Sequence, residues 1–113
     1  MLAITAIQIE KLRQGSEQLF RTRILELLEA NYSELIGQVD KEMQPETILQ
    51  AVTQARTLFI EIEQDIFDYV LFFFALDGGL LQHQSIKTQL DWFESPHVPS
   101  NIKIQRLRDC LYG

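Results

Sequence analysis

The stretch Glu61–Gly79, EIEQDIFDYVLFFFALDGG, constrains this chain more than any other. Between its acidic start and its closing glycines, Ile66–Leu76 is apolar except for Asp68. Phe67, Tyr69, Val70, Leu71, Phe72, Phe73 and Phe74 leave no polar face for solvent. A helix that is apolar all round belongs in a protein interior or in a membrane. Spanning a bilayer takes about 20 consecutive apolar residues, more than this run supplies. Aromatic and β-branched residues also suit a buried strand, but strands usually end within about 4–8 residues. The acids at the amino end complement the helix dipole, and Gly78-Gly79 can adopt the left-handed conformation that stops a helix. The expectation is a buried central helix over about residues 63–76.

The rest of the composition must then build a shell for that helix. A chain of 113 residues is one domain, residues 1–113, and a hydrophobic share of 46% is enough for a core. The formal net charge of −6 counts against nucleic acid, because phosphate backbones are held by clustered Lys and Arg. It counts equally against an anionic membrane surface. A single cysteine, Cys110, cannot form an internal disulfide and fits a reducing compartment. The amino-terminal segment MLAITAIQIEKLRQ has no basic region before its apolar residues and no small-residue cleavage pattern. That is not a secretory signal, so the expected location is the cytoplasm.

Taken in order, Thr5 and Gln8 have the form of a capping box, opening an amphipathic stretch to about Ala30. Ile9, Leu12, Leu19, Phe20, Ile24, Leu27 and Leu28 recur at roughly helical spacing. Gly15-Ser16 interrupts the pattern, which leaves either one bent helix or a short arm followed by a helix. A short turn of helix around Leu35 and Ile36 breaks at Gly37. Pro45 suits a first helical position, and Ile48, Val52, Ala55 and Phe59 then share one face of a helix running to about Leu58. After Gly79, Leu80–Gln84 reads as loop, and Ser85 caps a short helix to about Phe93. Pro96 and Pro99 keep Ser95–Ser100 extended. Ser100 then caps a last helix carrying Ile104, Leu107 and Leu111. Together these predict an all-α single domain, a bundle of about five to six helices around the buried one.

No catalytic set is legible. Glu61, Glu63, Asp65 and Asp68 are the densest acidic group, and paired carboxylates can do acid–base work or hold a hard cation. They lack a calcium-loop glycine and a histidine partner, so a helix start that favours negative charge is the simpler reading. His83, His97 and Cys110 fit no zinc spacing. The serines lack a nucleophile-elbow context, and no phosphate-binding glycine motif is present. No metal and no cofactor is expected. Trp92 and Phe93, next to the proline-bounded loop, read either as a binding edge or as a seal on the core. The first-helix stripe of Ile4, Ile7 and Leu12 is either core or an exposed face awaiting a partner.

Several of these residues also form a pattern. Phe20-Arg21 and Tyr32 lie in and just after the first helix; Ala55 precedes Leu58-Phe59-Ile60 and then Ile62-Glu63-Gln64-Asp65-Ile66; Lys103-Ile104-Gln105-Arg106-Leu107 closes the chain. The pattern resembles a family of small helical proteins encoded beside type VI secretion spike and effector genes in Gram-negative bacteria. The likeness runs from about Ile4 to Leu111. Phe59 stands where that family favours glycine, and Ile62 stands where a threonine would cap the helix.

The resemblance implies a non-enzymatic, cytoplasmic protein-binding module, an effector chaperone or adaptor of type VI secretion, with Tyr32, Trp92 and Phe93 as contact aromatics. Its partner would be a secreted effector or toxin, with neither nucleic acid nor membrane involved. An immunity protein that neutralises a toxin acting in the cytoplasm is the alternative. So is a structural homo-oligomer, in which the first helix pairs with its copy through Leu12. An enzyme using the Glu61–Asp68 carboxylates is a further reading.

Overall fold

The phenylalanine-rich run folds as a helix, and the other elements pack around it. The computed structural model describes residues 6–112, with side chains described from residue 16 onward. Among these residues there is no strand. Seven α-helices follow in order: α1 (Ala6–Asn31), α2 (Ser33–Ile36), α3 (Gln44–Thr57), α4 (Glu63–Ala75), α5 (Gln84–Lys87), α6 (Leu90–Phe93) and α7 (Ser100–Tyr112). Short 3₁₀ turns occupy Lys41–Met43 and Leu80–Gln82. The architecture is the all-α bundle that the periodicity predicts.

In α4, Ile66, Tyr69, Val70, Phe72, Phe73 and Phe74 are all buried, each large side chain contributing about 1.5–3 kcal/mol. Solvent reaches α4 beyond its first turn mainly along Phe67, Asp68, Leu71 and Ala75. The fully buried Tyr69 donates its hydroxyl hydrogen bond to Gln54 Oε1 on α3, so its one polar atom is satisfied. Burial pushes its phenol well above the usual tyrosine range.

Against this helix α3 packs Ile48, Ala51, Val52 and Ala55, at i, i+3, i+4 and i+7, with Leu58 completing the stripe. The sequence places Phe59 on that stripe, and here the structure differs: Phe59 points out, 43% exposed. The cause is the way α3 ends. The Phe59 N–H donates to the Arg56 carbonyl and the Ile60 N–H to the Ala55 carbonyl, each at 3.0 Å. This pair of bonds is a Schellman motif, which needs a left-handed residue just past the helix. Phe59 supplies it at φ 60, and the reversal sends Ile60 inward to full burial.

The end of α4 repeats the arrangement. Asp77 (φ 53) donates to Phe74 O and Gly78 (φ 80) to Phe73 O. The stop is therefore Asp77-Gly78 rather than the two glycines.

Of the two readings open at Gly15-Ser16, the structure has one helix rather than an arm and a helix: α1 runs unbroken through both residues, with Ile24 and Leu28 buried on its inner face. The Thr5 cap lies outside the described residues. Two further expectations are corrected. The helix expected from Ser85 to Phe93 is two short ones separated by a turn at Thr88-Gln89, and the residue preceding the first is His83, which makes no side-chain capping bond. Ser100 lies within α7 and does not cap it. Its Oγ accepts the Glu61 N–H at 3.0 Å and reaches the Phe59 carbonyl at 3.5 Å, fastening α7 to the α3–α4 turn.

The α2–α3 connection is closed by Gln44. Its buried Nε2 donates to the Ile36 carbonyl (3.1 Å), which also accepts the Val39 N–H, and to the Val39 carbonyl (3.0 Å), tying the end of α2 to the start of α3. Gly37 is required here for space, because a Cβ would meet the Ser33 carbonyl oxygen at 2.9 Å.

Candidate functional site

The second half of α1 and the start of α4 leave a groove between them. Its walls are Phe20, Ile24 and Leu27 from α1 and Phe67 from α4, with Tyr32 at one end and Arg23, Glu63 and Gln64 on the rim. It encloses about 630 Å³ and is open to solvent. The α1 residues belong here because 20, 24, 27 and 31 recur on one helical face. Only Ile24 of that face is buried by the fold; Leu27 remains 43% exposed and Tyr32 41%. The Tyr32 ring tilts against Phe67 with centroids 6.2 Å apart, which fixes the end wall. An apolar floor with sparse charges at the edge suits an amphipathic segment of another protein, held by side chains every three to four residues.

A second cluster is structural. Lys103 is fully buried, and its ammonium donates to the Leu58 carbonyl and, at 2.6 Å, to the Ser95 carbonyl. The Phe59 ring covers it, centroid 5.7 Å from Nζ. Burial pushes the Lys103 pKa below the usual lysine range, partly offset by the Glu61 carboxylate. The ammonium thus ties the end of α3 and the proline loop to α7. Its signal in the sequence is a polar residue inside an apolar stripe: Ser100, Lys103, Ile104 and Leu107 fall at i, i+3, i+4 and i+7, and all four are buried.

The residues singled out from sequence separate into different places. Tyr32 lies in the groove. Phe93 is fully buried and makes an edge-to-face pair with Trp92, centroids 5.0 Å apart. It is a core residue and cannot be a contact aromatic at the surface, because its ring fills the space beneath α6. Trp92 is half-buried, and the Arg106 guanidinium lies 5.1 Å from its ring centroid. The Leu12 side chain lies outside the described residues. Phe20, which the sequence singles out only with Arg21 as part of the resemblance, completes the groove with Leu27 and Phe67; the latter two had no individual signal, since amphipathic spacing does not say which stripe a neighbour covers.

In the acidic group, Glu61 and Glu63 are exposed, Asp68 is half-buried and Asp65 is buried. Burial, and then the Asp68 charge, raise the Asp65 pKa above the usual carboxylate range. Among the described residues no group of three or more His, Cys, Asp or Glu side chains could hold a metal ion. The Cys110 thiol lies against the Ser85 carbonyl and the Gln89 amide. Neither histidine is among its hydrogen-bond partners. Among the described residues, no helix is long and apolar enough to cross a membrane. No family model, no curated protein and no solved structure matches this chain.

Proposed function

We propose that this chain is a non-enzymatic protein-binding module, and that the groove between α1 and α4 receives a segment of its partner. The carrying observation is the half-exposed apolar surface of Leu27, Tyr32 and Phe67, gathered into one concavity with Glu63 on its rim. Apolar contact supplies the affinity, while the chain's net charge of −6 favours a partner segment carrying Lys or Arg. The resemblance to small helical proteins encoded beside type VI secretion genes gives the reading its finer form. The partner is then a secreted effector, and the module acts in the cytoplasm as its chaperone or adaptor.

Affinity purification from the native host with wild type and Leu27→Glu tests both levels. The expected result is an effector captured stoichiometrically by wild type and lost with Leu27→Glu, and co-expression that raises the soluble yield of that effector. Rescue of cells from a co-expressed toxin, with no gain in its solubility or secretion, would favour the immunity reading instead. Equal capture by both proteins would remove the groove from the function.

A further inference from the structure

The α3–α4 turn breaks two local rules within four residues, and both breaks leave a large apolar side chain in water. Past the end of α3, the left-handed position of a Schellman motif favours glycine, because a Cβ there crowds the backbone. The chain places Phe59 there at φ 60. At the N-cap of α4, Ser, Thr, Asp or Asn would accept a backbone N–H. The chain places Ile62, which makes no capping bond. Phe59 is 43% and Ile62 57% exposed. Phe59 closes α3 with a side chain that the left-handed position disfavours, Ile62 contributes no cap, and neither is buried enough to explain itself as core. Local rules are broken in this way mainly at functional sites, where strain is retained for another purpose.

The surroundings indicate what such a purpose requires. Glu61 and Glu63 are exposed beside the two apolar residues, and Glu63 also lines the groove. The turn thus runs directly into the groove rim. We infer that the α3–α4 turn is a recognition element, with Phe59 and Ile62 as apolar anchors for a basic, amphipathic partner segment and Glu61 and Glu63 pairing with its cations. This rests on the protein-binding role proposed above and extends the contact beyond the groove's end.

The Phe59 ring also has an inward role, over the Lys103 ammonium, and the test must separate the two. The probe is a synthetic amphipathic helix of leucine and lysine, titrated by fluorescence anisotropy, with its leucine–glutamate counterpart as control. The proteins are wild type, the double variant Phe59→Gly/Ile62→Thr and the groove variant Leu27→Gln. The double variant is expected to melt several degrees higher than wild type, because both substitutions restore the favoured residue. Its affinity for the leucine–lysine helix is expected to fall about tenfold, as when a central apolar anchor is removed.

A loss below about threefold would overturn the inference, whatever the melting temperature does, since interface anchors cost more than that. A lowered melting temperature with affinity kept would assign Phe59 to shielding Lys103 alone. Weakening by Leu27→Gln but not by the double variant sinks this inference and leaves the groove standing. The reverse pattern sinks the groove and keeps the turn. Failure of wild type to bind the leucine–lysine helix, or equal binding of the glutamate helix, overturns the inference.

Discussion

Two buried ionisable residues respond in opposite ways to their surroundings, and each gives a measurable consequence. Asp65 is held above its ordinary pKa by burial and by Asp68, so the folded state keeps its proton to higher pH than the unfolded chain does. The stability this contributes is present below the unfolded value near 3.8 and is lost as pH rises through the folded value. Asp65→Asn lacks that loss. Relative to wild type it should therefore gain stability as pH rises from the acid limit toward neutrality, measured as the difference between two urea-unfolding series. A constant difference across that window would show that Asp65 titrates normally. Lys103 differs because its ammonium satisfies two carbonyls, those of Leu58 and Ser95. Lys103→Met keeps much of the volume but leaves both acceptors unpaired in the interior, at about 1–3 kcal/mol each, offset by relief from burying a charge. A net loss of about 2 kcal/mol is expected in denaturant titration. A neutral or stabilising result would show that the carbonyls find water or that the charge was the larger burden.

Between elements, the visible ion pair and the buried contacts contribute very unequally. Arg56 on α3 pairs with Glu17 on α1, with both side chains more than a third exposed. Such surface pairs contribute about 0–1 kcal/mol. Leu28 is fully buried on the same helix, and truncating a core leucine to alanine costs about 2–5 kcal/mol. Glu17→Gln should thus barely move the urea midpoint, while Leu28→Ala should lower it severalfold more. Comparable shifts would mean that the ion pair, and not the apolar face, docks α1. The same contrast explains what was legible in the sequence. The all-α class, the central helix and the burial of Ile48, Val52 and Ala55 follow from periodicity and helix punctuation, because those depend on local spacing. The outward turn of Phe59 follows from a left-handed helix end that carries no glycine to announce it, while the inward reach of Lys103 and the bridging by Ser100 depend on how α7 meets the α3–α4 turn, which no local pattern encodes. Half of the site behaved likewise. Tyr32 is singled out only through the resemblance, and its groove partners Leu27 and Phe67 look like core until α1 and α4 are seen not to close over them.

At the scale of the whole molecule, the proposed binding role gives charge and apolar surface separable contributions. The chain carries a net −6, and Glu61 and Glu63 stand exposed where the turn meets the groove. Long-range attraction of this kind accelerates encounter and is screened over about 10 Å at 0.1 M salt. In the proposed complex, contacts of Leu27, Tyr32, Phe59 and Ile62 act only once the partner has arrived, and they set how slowly it leaves. For the leucine–lysine helix, raising salt from about 0.05 to about 0.5 M should slow association about tenfold and change dissociation by less than about twofold. Stopped-flow anisotropy separates the two rates. An association rate indifferent to salt would show that the acidic turn does not steer, leaving shape and apolar contact as the whole basis of selection. A dissociation rate that rises steeply with salt would instead place the glutamates inside the bound interface as desolvated pairs, and Glu63→Gln would then weaken binding through the off-rate.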